Sequence, residues 1–141
     1  MPQTPQRIVA GGQILPHRFV KPDTSEDHQG LQADANAEII GVSGEETLHA
    51  PLDDLITTNP HAEDGDPVNL RGPGEEALIE AGAAFSAGVR LKADANGKAV
   101  AALTTGTTAQ NSGGRSQQAA AADGDLIRMT IEPETYRPAI A

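Results

Sequence analysis

The sequence predicts an all-β fold, a compact β-domain with extended N- and C-terminal arms. Between residues 66 and 103, short apolar runs alternate with polar residues, and a turn-forming residue closes each run before two helical turns could form. Asn96-Gly97 lies between two such runs, and this dipeptide tolerates the positive φ angles of a tight hairpin turn. Within residues 125–131, Leu126, Arg128 and Thr130 alternate with the apolar residues Ile127, Met129 and Ile131, which indicates a final strand.

The chain is long enough for one domain, and proline and glycine predict its boundaries. Its 141 residues can bury about two-thirds of the surface that the unfolded chain exposes. Residues 1–16 are predicted to be an N-terminal arm, because three prolines remove backbone donors and Gly11-Gly12 adds a flexible joint. Residues 17–132 form the predicted β-domain. Residues 133–141 form a C-terminal tail that carries the only tyrosine, Tyr136.

The N-terminal arm carries apolar side chains despite its many chain breakers. Such a segment has two alternative fates, since it can pair with the edge of its own sheet or reach a neighbouring protein. Arg7 and Arg18 lie within or beside the arm, where they could orient docking on an acidic surface. The apolar residues are Ile8, Val9, Ile14 and Leu15.

Flanking turns predict the remaining elements in order. Residues 17–21 form the first strand. The hexapeptide at residues 31–36 recurs at residues 91–96 with one difference, Gln for Lys, and an apolar pair follows each copy, which predicts two similar hairpins. Residues 45–64 are predicted to form a short helix or a long loop. Residues 104–118 are rich in Thr, Ser, Gly and Gln, which indicates a mobile excursion.

Composition excludes several classes of partner. The chain has 10 Lys+Arg against 20 Asp+Glu, a net charge of −10, and its basic residues form no run or stripe, so we expect no binding to nucleic acid. The absence of cysteine excludes disulfides and cysteine-based zinc sites. Neither a signal peptide nor an apolar membrane span is evident, so we expect synthesis in a cytoplasm and no membrane partner. With few aromatic residues the core should be small, which favours a homo-oligomer.

Each candidate for catalytic or metal chemistry lacks part of its motif. Residues 41–45 approach a nucleophile elbow, but Glu45 stands where glycine is needed. The four histidines are scattered and offer no metal-ligand spacing. Acidic residues at 53–54 and 63–66 lack the alternating ligands of a calcium loop. We therefore expect no enzyme, no cofactor and no metal.

Two other classes stay open as alternatives. A carrier domain with duplicated hairpins would present a modified lysine at a hairpin tip, and Lys98 follows Asn96-Gly97, although the usual Met or Asp neighbour is absent. A cupin-type barrel would bind a metal through clustered His and Glu, which the histidine spacing does not offer.

Small residues and turns recur in four segments within residues 19–132. They are residues 40–43 (IGVS), 80–88 (EAGAAFSAG), 91–100 (LKADANGKAV) and 120–128 (AAADGDLIR). In these segments the chain resembles the small capsid decoration, or cement, proteins of tailed bacteriophages. The resemblance implies that the domain is a β-sandwich or jelly-roll-like fold. It also implies a structural virion protein that binds the outer surface of an assembled head and stabilises the capsid, with the major capsid protein as its partner and synthesis in the host bacterial cytoplasm.

Docking and subunit contacts are predicted to involve the arms. The symmetry axes of a shell favour a trimer, with a dimer as the second choice. If the arms are not the docking surface, the loops around Arg71 and at residues 104–118 are the alternatives. The predicted contact residues are Arg7, Ile8, Val9, Ile14, Leu15, Arg18, Phe19 and Tyr136.

Overall fold

Two β-sheets make up the chain in the computed structural model, which describes residues 8–26, 28–47 and 59–138. Within these ranges the chain forms eleven strands and no helix, so the predicted all-β, sandwich-like fold class is confirmed. The strands are β1 (Ile8–Ala10), β2 (Phe19–Pro22), β3 (Gln29–Gln32), β4 (Gly41–Ser43), β5 (Pro67–Val68), β6 (Leu70–Arg71), β7 (Glu76–Glu80), β8 (Arg90–Ala93), β9 (Ala99–Ala101), β10 (Gln110–Ser116) and β11 (Leu126–Tyr136).

The first sheet contains six strands in the order β5-β1-β3-β2-β4-β6, and the second contains five in the order β7-β11-β10-β8-β9. β1 runs parallel to β3, and the other ladders between the described strands are antiparallel. A bridge between Ala81 and Ala99 joins the end of β7 to β9. The two edges of the second sheet therefore approach each other, and that sheet curls towards a barrel.

Both sheets contribute to the larger apolar core. Phe19 of β2 and Val42 of β4 are fully buried and belong to one cluster with side chains of the second sheet. Each such side chain contributes about 1.5–3 kcal/mol when it leaves water. A smaller cluster lies in the first sheet and contains Ala10, Ile14, Val20, Ala62 and Val68. The second sheet's members of the larger cluster include Ile79, Leu91, Met129 and Ile131.

The hairpin predicted at Asn96-Gly97 is confirmed and joins β8 to β9. The Asp94 N–H donates to the Lys98 carbonyl at 2.9 Å, and Gly97 has a φ of +75°. The Asp94 carboxylate accepts hydrogen bonds from the N–H groups of Asn96 and Lys98 at 2.8 and 2.9 Å. These contacts are all local, so the dipeptide and its neighbours specify the turn.

The predicted N-terminal arm is wrong for residues 8–16. β1 lies inside the first sheet between β5 and β3, and Ile14 forms a bridge with Ala62. Ala10 and Ile14 are fully buried. Of the two fates considered, this segment pairs within its own sheet, and it does so as an interior strand. Residues 1–7 lie outside the described residues.

The predicted mobile excursion at residues 104–118 contains β10, a strand in the middle of the second sheet. β10 pairs with β11 on one side and with β8 on the other. Its sequence, QNSGGRS, has no apolar side chain, which is why a sequence pattern misses it. The glycines serve packing and backbone geometry: a Cβ on Gly113 would overlap the Phe19 ring, and Gly114 has a φ of +147°.

The predicted boundary of the C-terminal tail at residue 133 is also wrong, because β11 continues to Tyr136. The register shifts between the pairs Gly114↔Ile131 and Ser112↔Glu134, so two residues of β11 oppose one residue of β10. This bulge contains Pro133. A proline is tolerated there because a bulged residue need not donate to the ladder.

The two copies of the repeated hexapeptide take different roles. The second copy enters the β8–β9 hairpin, whereas the first ends β3, which pairs with β1 and β2. The following strand, β4, pairs with β2 and β6, so the prediction of two similar hairpins is wrong. The predicted short helix or long loop at residues 45–64 falls largely on residues 48–58, which lie outside the described residues.

Candidate functional site

Three of the eight predicted contact residues are buried in the domain. Ile14 and Phe19 are fully buried, and Arg18 is 8% exposed. The Arg18 guanidinium donates to the Asn96 carbonyl at 2.9 Å and forms an ion pair with Glu80 at 3.4 Å. These three residues are therefore structural, and their prediction as surface contacts is wrong. Ile8, Val9 and Leu15 are half-buried, and Arg7 lies outside the described residues.

Tyr136 differs from the other predicted contacts because it lines an open groove. The groove has a volume of about 660 Å³, within the range of pockets that bind small ligands. We call it the arginine groove. It is lined by Gly88, Val89, Arg90, Ala101, Ala102, Thr104, Arg115, Tyr136 and Arg137.

Strand register brings two of the arginines together. Arg90 of β8 pairs directly with Arg115 of β10. Both point away from the core, since the neighbouring side chain of Leu91 is fully buried and side chains alternate between the faces of a strand. Like charges directly opposite each other destabilise a sheet. Glu134 offsets the charge of Arg90 in this pair, whereas Arg115 has no carboxylate partner among the described residues.

Arg90 is held in place by the end of β11. Its guanidinium lies 4.3 Å from the centre of the Tyr136 ring, at cation–π distance, and its Nε lies 2.7 Å from a Glu134 carboxylate oxygen. The Tyr136 hydroxyl donates to the Leu103 carbonyl at 2.8 Å, which fixes the ring. Leu103 itself is 50% exposed at this side of the groove. The floor of the groove is therefore ordered before any partner binds.

Arg115 and Arg137 are exposed and unneutralised. Arg115 donates one hydrogen bond of 3.3 Å to the Gly88 carbonyl. Among the described residues, neither guanidinium has a carboxylate within ion-pair distance. Within the described ranges, Glu134 is the one carboxylate that pairs with a groove arginine, although the whole chain carries a net charge of −10. The groove is thus a local positive site on an acidic protein.

A second, smaller groove of about 370 Å³ lies where the edge strands β6 and β7 approach each other. His17 closes part of it, since its ring donates to the Leu78 carbonyl at 3.1 Å and its carbonyl accepts from the Glu80 N–H at 3.0 Å. Its charges are mixed. The lining includes Glu45, Arg71, Glu76 and Arg128, so it offers no preference for one charge sign.

Lys98 is fixed by carboxylates on both sides. Its Nζ lies 2.9 Å from Glu80 and 2.9 Å from Asp123, and its side chain is 19% exposed. The hydrogen bonds to Asp123 and Glu80 raise the pKa of Lys98 above its ordinary value of 10.5. A modified carrier lysine needs a free and reactive amine, so this geometry offers no support for the carrier alternative.

The other residues weighed for chemistry have structural partners. The His61 ring donates from Nδ1 to the Glu46 carbonyl at 2.7 Å and accepts the Asn69 N–H at Nε2 at 3.0 Å, so it links β4 to the β5–β6 region. The Asp66 carboxylate accepts the Glu63 N–H at 3.0 Å and closes the acidic turn. Within residues 8–26, 28–47 and 59–138, no group of three or more His, Asp or Glu side chains could hold a metal ion.

Sequence reasoning found Tyr136 but missed the three arginines of the groove. Arg90, Arg115 and Arg137 are separated by more than twenty residues each, and a basic run or stripe in sequence could not reveal them. Only the register between β8 and β10, and the passage of β11 beyond Pro133, bring them together. The alternative prediction, a docking surface at residues 104–118, includes two residues that line the groove, Thr104 and Arg115.

Comparison with protein-family models finds no match, and comparison with curated proteins finds none either. Among solved structures, the chain is similar to the crystal structure of the N base of head fiber gp8.5 in bacteriophage phi29. The TM-score is 0.62 and the sequence identity is 17%, over 89% of this chain and 91% of that chain. The two chains share a fold over nearly their whole length. In the part of this chain that the structure describes, no helix is long and apolar enough to span a membrane.

Proposed function

We propose that this protein is a structural component of a bacteriophage virion that binds the outer surface of the assembled head and stabilises the capsid. One observation carries the proposal: the fold of the chain matches the base of a phage head fiber over 89% of one chain and 91% of the other. The segments that resemble capsid decoration proteins support the same role. A base domain of this kind needs a docking surface and has no need of a catalytic centre.

The proposed partner on the head is the major capsid protein. The arginine groove suits this contact, because it combines exposed guanidinium groups with the Tyr136 ring. Interfaces favour this combination, since arginine and aromatic side chains are enriched where proteins meet. Ile14 and Phe19, which were predicted to make the contact, are buried and would require unfolding to reach a partner.

The proposed role includes self-association and involves no catalysis. A shell offers three-fold and two-fold axes, so a homotrimer is favoured and a homodimer is the second choice. No enzymatic activity, cofactor, membrane or nucleic-acid partner belongs to the proposed role. The protein would be made in the host cytoplasm and incorporated on the outer surface of the virion.

Purified protein added to heads that lack it tests the proposal. We expect saturable co-sedimentation with the heads, a fixed number of copies per head, and a higher temperature of head disruption. Binding should also protect the heads when they are diluted into low salt. Folded protein that stays in the supernatant at every concentration would contradict the proposed function.

A further inference from the structure

We propose that the arginine groove binds an extended acidic peptide segment, whose carboxylates pair with the guanidinium groups of Arg115 and Arg137. The inference rests on the proposed function only for the identity of the protein that carries the segment, which is the major capsid protein. The binding chemistry of the groove follows from the residues themselves. Arginine matches a carboxylate with two parallel hydrogen bonds, so a groove with two free guanidinium groups selects this ligand.

The three arginines of the groove have different roles. Arg90 contacts the Tyr136 ring and forms an ion pair with Glu134, so its position at the base of the groove is fixed. Arg115 and Arg137 are exposed and have no carboxylate partner among the described residues. Exposed arginines that face solvent individually are ordinary. Here Arg115 lies directly opposite Arg90 in the register and lines the same groove as Arg137, so the two unpaired guanidinium groups share one binding surface.

The shape of the groove favours a peptide in an extended conformation. Its volume of about 660 Å³ accommodates a few residues and no folded element. Val89, Ala101 and Ala102 supply a short apolar wall beside the arginines. An extended strand alternates its side chains, so carboxylates can face the arginines while small side chains lie on the wall.

Charge complementarity favours an acidic peptide over nucleic acid. A peptide can end or change composition beyond the groove, whereas a phosphate backbone continues with one charge per nucleotide. With a net charge of −10, the rest of this protein repels a long polyanion.

Fluorescence anisotropy of the full chain with a labelled peptide of alternating Glu and Gly tests the inference. We expect binding at low salt that weakens as salt is raised, and no binding of the same peptide with Gln in place of Glu. Arg115→Glu and Arg137→Glu should each weaken binding about tenfold, and the double variant about a hundredfold, because each reversal turns an attraction into a repulsion.

The matched control is Arg128→Glu, which makes the same charge change on the same sheet. Arg128 is exposed, lies in the second groove, and has no ion-pair partner among the described residues. It should change peptide binding by less than about threefold, since only the long-range charge differs. The conservative pair Arg115→Lys with Arg137→Lys keeps the charge but loses the bidentate geometry, and it should bind with intermediate affinity.

Head binding separates failure of this inference from failure of the proposed function. If the double variant loses both the peptide and the heads while Arg128→Glu keeps both, the inference stands. If the double variant loses the peptide but still decorates heads, the groove is not the capsid contact and the inference is overturned, while the proposed function survives. If wild-type protein binds the peptide but never binds heads, the groove chemistry stands and the proposed function fails.

Two further results would overturn the inference outright. One is an absence of peptide binding by wild-type protein at low salt. The other is tighter binding of a single-stranded oligonucleotide that is lost in the same double variant, because this would identify the groove as a nucleic-acid site. Each variant should unfold at the same temperature as wild type, which shows that a loss of binding results from the change in the groove and not from loss of the fold.

Discussion

Single small residues decide how closely the two sheets pack. Phe19, one of two phenylalanines, is fully buried and lies against the backbone of β10 at Gly113. A side chain at this position would enter the space of the ring. The glycine pair in a polar stretch was interpreted as flexibility, because a sequence does not show which ring lies above a glycine. At this position glycine is required by close packing.

Gly113→Ala should destabilise the domain by about 1–3 kcal/mol, because its Cβ overlaps the Phe19 ring and forces the core to shift. The matched control is Gly72→Ala, where the nearest atom to an added Cβ is a side-chain oxygen at 3.8 Å. That change should stay within about 0.5 kcal/mol. Urea unfolding of the two variants measures the difference, and equal stabilities would contradict the packing argument.

Lys98 gives a prediction for alkaline pH. Its pKa is raised in the folded state by the Asp123 and Glu80 carboxylates, so its ion pairs contribute fully below the ordinary lysine value of 10.5. They are lost as the pH rises through the raised folded-state pKa. Lys98→Met should therefore cost about 1 kcal/mol at neutral pH, and the difference from wild type should shrink as the pH rises through the raised folded-state pKa.

Urea unfolding at neutral and alkaline pH measures this change. Lys21→Met is the control, because Lys21 forms one ion pair with Asp34, whose side chain is 63% exposed. That pair should contribute less than about 0.5 kcal/mol. A Lys98→Met difference that stays constant up to alkaline pH would show that packing, and not charge, accounts for the effect.

Among the elements, those built by local contacts were predicted and those built by distant contacts were not. The β8–β9 hairpin is specified by four neighbouring residues, and the alternation of residues 127–131 identifies the first half of β11. β1 was predicted to be part of an arm because prolines and glycines surround it. Its partners β3 and β5 lie far along the chain, so the sequence around β1 does not reveal the pairing. The groove depends on register and on a bulge, and neither can be predicted from composition.

Truncation distinguishes an interior strand from an arm. Deleting residues 1–15 removes β1 and the buried side chains of Ala10 and Ile14, so the first sheet should lose its cooperative unfolding transition. Deleting residues 1–7 removes none of the described contacts and should leave that transition within a few degrees of wild type. Circular dichroism and thermal unfolding measure both. A deletion of residues 1–15 that unfolds like wild type would contradict the placement of β1.

For the whole molecule, small size and few aromatic residues leave a modest core, and subunit association would add to it. We predict a homo-oligomer at micromolar concentration, with three times the mass of one chain favoured over twice that mass. Multi-angle light scattering behind size exclusion measures the mass directly. A single species with the mass of one chain across this concentration range would contradict the prediction.

Electron cryomicroscopy of phage heads with and without this protein tests most directly whether the protein binds the outer surface of the head. We predict extra density on the outer surface of the complete heads, at repeated symmetry positions. The two-sheet β-domain should fit this density with its arginine groove facing the shell. Identical maps from the two kinds of head, together with protein recovered only in the soluble fraction, would contradict it.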